Sequence, residues 1–267
     1  MSIFVSTFLY SAAKIAGDSW PTYIAEQCRN LGSSEWPGLR TVGAMTTVSP
    51  IELYVEASTY ITRARCVAAG RFLRSRASVW VTVDDDILVD RSTIHQALLV
   101  CRAIDGGVTL PYLNRDGKSI VCRDVAEKTE WVETSAGALP VRCVSRTGFG
   151  FVAMTRGYVE RIVQKNNVEF FREDDLRSKE PDCPLLFVEG AENGSWIGED
   201  YYFSRLAETS GEPLRLLLDA PCEHAGRALK LSAAGEVLLR DAAAAKELVR
   251  AAERRGAIFA SVVAAFR

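Results

Sequence analysis

The stretch VWVTVDDDILVD at residues 79–90 constrains the fold of this chain more than any other. Residues 79–83 read as a buried strand, and that strand terminates in three carboxylates. In open α/β sheets ligands gather beyond the carboxyl ends of the strands, so acids placed there stand where a substrate is met. Asp84 and Asp86 are two residues apart, and extended backbone points side chains at that spacing to the same face. Two hard oxygen ligands on one face suit Mg²⁺ or Mn²⁺, which bridges them to a diphosphate. Taken alone, the same acids also serve as a polar turn capping a helix that begins near Ser92.

The remainder of the chain alternates helices and strands. A first strand is expected at residues 3–9, helices at 21–31, 50–73, 92–103, 156–165 and 199–209, and further strands at 107–112, 141–155 and 214–218. Residues 114–140 are polar and turn-rich, with hairpin signals near Gly117 and Gly137, and residues 233–266 read as an alanine-rich helical tail. This order predicts an α/β fold with a mostly parallel central sheet flanked by helices. A chain of 267 residues is long enough for one such domain. We divide it into a catalytic domain over residues 1–227 and a helical, basic C-terminal appendage over residues 228–267.

Composition excludes several classes. Hydrophobic residues make up 48% and charged residues 25%, the balance of an ordinary globular protein. No apolar run reaches the roughly eighteen residues of a spanning helix, and the first residues lack the basic start of a signal peptide; a cytoplasmic location is expected. The seven cysteines are odd in number, scattered and without a C-x-x-C pair, so neither a zinc site nor a disulfide framework is indicated. A net charge of -2 does not suggest a globally basic nucleic-acid binder. The last 41 residues nevertheless carry eight Lys or Arg against four Asp or Glu, a local +4 that suits either a phosphate-rich partner or a solvated helix face.

Three further segments carry chemistry. In GSWIGEDYYF, Glu199 and Asp200 open a helix, where acids are favoured by the helix dipole whatever their function. Their neighbours Trp196, Tyr201 and Tyr202 offer flat faces of the kind that stack on sugars, and Gly198 allows close backbone approach. His224, in CEHAG, follows a strand on a short loop and can add a nitrogen ligand to a cation already held by carboxylates. TGFGF places Gly148, Phe149 and Gly150 in a turn that either lets a ligand approach the backbone or simply makes a tight bend.

In order and context these segments resemble GT-A-fold glycosyltransferases of the inverting, family 2-like type, including compact versions from bacterial and phage genomes. The resemblance runs over most of residues 3–227, through ITRARCVAAGRFL, VWVTVDDDI, VTLPYLNRDG, RTGFGFVAMTRGYVERI, GEDYYFSRLAETSG and LLLDAPCEHAG. It implies a Rossmann-like nucleotide-binding fold and transfer of a sugar from a nucleotide-diphosphate donor, UDP by family frequency, to a hydroxyl acceptor. Asp86 and His224 would coordinate Mn²⁺ or Mg²⁺, with Asp84 in the metal shell or at the ribose. Asp200 would be the general base, and Trp196, Gly198, Glu199 and Tyr201 would shape the acceptor or sugar pocket. Arg63 or Arg65, with Asp84, Asp85, Gly148, Phe149 and Gly150, would meet the donor; Cys66 after Arg65 departs from the commoner Arg-Asn pair. The phage likeness and the basic tail add one acceptor class, a hydroxymethylated pyrimidine in DNA, with Arg227, Lys230, Arg250, Arg254 and Arg255 on phosphates. Two other classes compete. A D-x-D-x-T/V phosphatase is opposed by the absence of Thr or Val after the acids, and a non-catalytic sugar- or nucleotide-binding module would not need Asp86, Asp200 and His224 together.

Overall fold

In the computed structural model, the residues described are 3–9, 45–48, 51–57, 60–84, 87–89, 91–114, 120–172, 182–192, 194–220, 222–224, 227–231 and 237–239. The first part of the chain forms β1 (Ile3–Leu9), β2 (Met45–Val48), β3 (Ile51–Ala57), α1 (Ile61–Arg74), β4 (Val79–Asp84) and the short β5 (Ile87–Leu88). Then come α2 (Arg91–Ala103), β6 (Gly107–Thr109), β7 (Cys122–Val125), β8 (Glu130–Thr134), β9 (Gly137–Thr147), β10 (Phe151–Thr155) and α3 (Arg156–Lys165). Four short strands follow: β11 (Phe170–Phe171), β12 (Cys183–Pro184), β13 (Gly190–Glu192) and β14 (Ser195–Ile197). The last described elements are α4 (Glu199–Thr209), β15 (Leu214–Leu217), β16 (Cys222–His224), β17 (Arg227–Leu231) and β18 (Val237–Leu239).

The main sheet has 10 strands in the order β2-β3-β1-β4-β10-β6-β15-β9-β7, with β8 on β9. The apolar strand before the acids, β4, is central, held in parallel by β1 and antiparallel by β10. Its residues alternate between two cores. Val79, Val81 and Val83 join Ile94, Leu98 and Phe151 on the α2 side. Trp80 joins Phe4, Phe72, Tyr158, Phe187 and Phe203 on the side of α1, α3 and α4. Alternation puts Asp84, at the end of β4, on this second face. Helices therefore cover both faces of an α/β sheet, and each buried side chain of this size stabilises it by about 1.5–3 kcal/mol.

The sheet is mixed, which corrects the expectation of a mostly parallel one. Strands β3, β1, β4, β6 and β15 run one way, but β10 lies reversed between β4 and β6. The cause is the hairpin at Gly137, whose φ of 102° suits glycine. Tight turns reverse a strand, whereas a parallel neighbour needs a long crossover. The chain therefore enters β9 against the direction of β6, and β10 continues β9 after only the Gly148-Phe149-Gly150 bend.

Two further expectations change. Residues 50–73 are not one helix: Ile51–Ala57 is a strand paired with β1 and β2, and the helix begins at Ile61. The apolar Ile51, Leu53, Val55 and Ala57 recur every second residue, a strand period that outweighs the helical spacing read across the longer window. The C-terminal region is not all helix either. Arg227–Leu231 pairs with Cys222–His224 on one side and Val237–Leu239 on the other, and Cys222–His224 also pairs with Ile87–Leu88. A domain boundary at residue 227 thus falls inside a paired strand, because RALKL and VLL on either side of SAAGE make a hairpin. The helix expected at residues 21–31 and the tail beyond residue 239 lie outside the described residues.

α1 is closed at its C-terminal end by Arg156, the first residue of α3. Its guanidinium donates to the carbonyls of Phe72 (2.8 Å), Leu73 (2.9 Å), Ser75 (3.0 Å) and Ala77 (2.8 Å) and lies 4.7 Å from the centroid of the Phe72 ring. Carbonyls that a helix end leaves without an intrahelical partner are satisfied there by one cation, which also complements the helix dipole. The other end of α1 supplies Arg65. Cys66, Cys101, Cys122 and Cys143 are free thiols, and burial pushes the Cys66 and Cys122 thiols up to about 12.

Candidate active site

Asp84 ends β4, and Arg65 projects toward it from the second turn of α1. One guanidinium nitrogen of Arg65, Nη2, donates to both Asp84 oxygens, at 3.0 and 3.2 Å, while Nη1 donates to Glu199 Oε1 at 2.6 Å. The Arg65 side chain is 3% exposed and each carboxylate 13%, so the triad is buried. Beneath it the guanidinium lies 5.4 Å from the Phe149 ring centroid and 6.0 Å from that of Phe187. Phe149, Phe187 and Phe203 pack on one another at 4.9–5.2 Å, so the cation rests on an aromatic floor. Through Arg65 the triad ties the end of a central strand to the start of α4, and the Arg65–Glu199 link alone spans 134 sequence positions. Removing one member of such a buried set leaves an uncompensated charge, which costs about 3–5 kcal/mol.

Asp200 is the second residue of α4. Its Oδ1 accepts from the Tyr201 backbone N–H at 2.7 Å. Gly198 precedes the helix, and a Cβ there would come within 3.0 Å of Asp200 Oδ1, so glycine leaves the carboxylate its place. Burial raises the Asp200 carboxyl from 3.8 to about 6; Glu199 and, more weakly, Asp84 push in the same direction, and Arg65 opposes them. Desolvation with like-charged neighbours is the combination that turns an ordinary carboxylate into a usable base near neutral pH. The helix dipole alone, the ordinary explanation of acids at this place, would act in the opposite direction.

His224 enters from β16, where it pairs with Ile87 of β5. Its Nδ1 is hydrogen-bonded to the Leu113 carbonyl. A carbonyl only accepts, so Nδ1 carries a proton, and in a neutral ring Nε2 is then the nitrogen that can ligate a cation. The residue before Ile87 is Asp86, which with Asp85 lies outside the described residues. Among the described residues no three His, Cys, Asp or Glu side chains converge on a cation site. Asp84 is engaged by Arg65 at both oxygens.

The glycine turn is tied to the end of β4 and packs against Tyr112. Gly150 O accepts from the Asp84 N–H at 2.9 Å, which fixes the turn to the end of β4. A Cβ on Gly148 would lie 2.1 Å from the Tyr112 hydroxyl oxygen, and one on Gly150 2.7 Å from Tyr112 Cζ. The space that both glycines leave is filled by the phenol of Tyr112, and Phe149 is buried at 1% exposure in the aromatic floor. Gly148 and Gly150 thus make room for Tyr112, and Phe149 lies under the Arg65 guanidinium. Likewise Arg65, expected to meet the donor, bridges two carboxylates, and Arg63, two residues earlier on α1, is only partly buried.

Other expected residues lie around this cluster. Trp196 is 70% exposed on β14, just before Gly198. Tyr201 is partly buried with the Arg123 guanidinium 5.9 Å from its ring centroid, and Tyr202 has Arg205 at 5.2 Å. Arg227 and Lys230 fall on β17 rather than on a helix, while Arg250, Arg254 and Arg255 lie outside the described residues. Tyr112 is the residue that sequence reasoning missed. It stands three residues beyond the carboxyl end of β6, where ligands gather, and that position was the available signal.

No helix among the described residues is long and apolar enough to cross a membrane. No protein-family model matches the chain, and no curated protein matches it. A solved structure described as the crystal structure of A197 from STIV is similar over 90% of this chain and 95% of that chain, at 13% sequence identity and a TM-score of 0.45.

Proposed function

We propose that this chain is a GT-A-type glycosyltransferase that moves a sugar from a nucleotide-diphosphate donor to a hydroxyl acceptor with inversion, Asp200 acting as general base. The observation that carries this reading is the Glu199–Arg65–Asp84 triad, which sets Asp200, next to Glu199 in the first turn of α4, at the carboxyl end of β4, where burial raises its carboxyl. At neutral pH a carboxyl poised near 6 is mostly ionised yet more basic than an ordinary one. It takes the proton of the acceptor hydroxyl as the acceptor oxygen attacks the anomeric carbon. The bond from that carbon to the diphosphate oxygen breaks, and the nucleoside diphosphate leaves with the bonding electrons. Arg65 holds Asp84 and Glu199 in place, and Glu199 in turn keeps the start of α4 and its Asp200 facing the strand end. By their chemistry Asp86 and His224, with Asp84 nearby in sequence, would hold Mn²⁺ or Mg²⁺, which when bound would supply Lewis-acid neutralisation of the leaving diphosphate.

Isothermal titration of the full chain with UDP, with and without Mn²⁺, tests the donor half, and a panel of UDP-sugars offered with saccharide, lipid-linked and hydroxymethylcytosine-DNA acceptors tests the transfer. Expected are Mn²⁺-dependent UDP binding, lost in His224→Ala, and a sugar adduct on one acceptor class that Asp200→Asn does not form. Metal-independent sugar binding without transfer would instead identify a non-catalytic module and overturn the reading.

A further inference from the structure

We propose that Tyr112 is a substrate-contacting residue whose hydroxyl donates a hydrogen bond to an oxygen of the donor's diphosphate. This inference rests on the nucleotide-sugar reading above, and it assigns a function to the LPYLN segment that the reading leaves unused.

Tyr112 is 6% exposed, and its oxygen accepts from the Gly150 N–H at 2.9 Å. The hydroxyl proton itself is given to no acceptor among the described residues. A buried donor left unused is costly, so a purely structural account explains only half of this hydroxyl. Gly148 and Gly150 both lack the Cβ that would collide with the phenol, at 2.1 Å from the oxygen and 2.7 Å from Cζ. Two glycines in one turn thus make room for the hydroxyl end of the ring.

The surroundings indicate where the proton goes. Gly150, whose N–H donates to the phenol oxygen, also accepts through its carbonyl from the Asp84 N–H, so the hydroxyl lies beside the carboxyl end of β4. The His224 ring meets the Tyr112 ring edge to face, with centroids 5.4 Å apart. A phenol keeps its proton at neutral pH, so Tyr112 is a permanent donor. Because its oxygen already accepts from Gly150, Tyr112 has chiefly a proton to offer. A diphosphate oxygen matches that, since it only accepts, whereas a sugar hydroxyl brings a proton of its own that needs a second acceptor. A preorganised neutral donor in a water-poor site also stabilises the charge that develops on a leaving diphosphate.

The test is isothermal titration of the full chain with UDP, GDP and dTDP in Mn²⁺, paired with thermal melts, on three proteins: the native chain, Tyr112→Phe, and a chain with 3-fluorotyrosine at position 112. Tyr112→Phe is expected to weaken nucleoside diphosphate binding about tenfold or more, the effect of losing a hydrogen bond to a charged group. Fluorination makes the phenol a better donor and a poorer acceptor. It should therefore tighten binding while lowering Tm through the weaker bond from Gly150. A hydroxyl that only accepts from Gly150 predicts the lower Tm with binding unchanged or weaker, and that outcome overturns the inference, as does a Phe variant that binds like the native chain. Failure of the native chain to bind any of the three nucleotides overturns the nucleotide-sugar reading and this inference with it.

Discussion

Replacing Asp200 by Asn is expected to abolish transfer and at the same time to stabilise the fold. Asn keeps an oxygen to accept from the Tyr201 N–H and removes the buried charge beside Glu199 and Asp84. A rise from the ordinary 3.8 to about 6 corresponds to roughly 3 kcal/mol of native-state penalty at about 1.4 kcal/mol per pH unit. The sign follows from proton linkage. Between about pH 4 and pH 6 the folded state holds a proton on Asp200 that the unfolded chain has released, so stability falls as pH rises through this window. Above about pH 6 the penalty is complete, and below about pH 4 it is gone. Asp200→Asn should therefore gain on the order of 2–3 kcal/mol at pH 7.5, or about 5–10 °C in Tm for a domain of this size, with the gain fading as pH approaches 4. Thermal and urea unfolding of both proteins from pH 4 to pH 8 measures this. A variant no more stable than the native chain at pH 7.5, or a difference that does not change with pH, refutes the claim that desolvation dominates at Asp200.

Arg65→Met should destabilise the chain by about 3–5 kcal/mol and, by removing the cation that lowers the Asp200 carboxyl, move the acid limb of the kcat/KM profile to higher pH; a rate profile superimposable on the native one would contradict the electrostatic coupling. Arg156→Ala, at the opposite end of α1, should cost about 2–4 kcal/mol in urea unfolding because several helix-end carbonyls lose their donor, while Mn²⁺-dependent UDP affinity in the surviving fold stays within about twofold. Gly148→Ala forces a Cβ to 2.1 Å from the Tyr112 oxygen, and displacement of the phenol should lower stability by about 1–3 kcal/mol; a variant with native Tm and native nucleotide affinity would show that the turn does not depend on that contact.

Local pattern determined much of the architecture. The helices Arg156–Lys165 and Glu199–Thr209 form where their spacing indicates, and the apolar strand ending in Asp84 occupies the middle of the sheet. These features depend on which faces of a short segment are apolar, and neighbouring residues carry that information. It was insufficient where two periods overlapped, as at Ile51–Ala57, and where chain direction depended on a distant turn, as for Phe151–Thr155. The candidate site divides in the same way. Asp84, Asp200 and His224 were legible as chemically apt residues at the ends of elements. That Arg65 joins Asp84 to Glu199, that Asp200 is raised rather than lowered, and that Gly148 and Gly150 house Tyr112 were decided only by tertiary structure. A sequence specifies which groups can carry charge, but desolvation and Coulomb energy depend on which distant groups come within a few ångströms and on what excludes water around them.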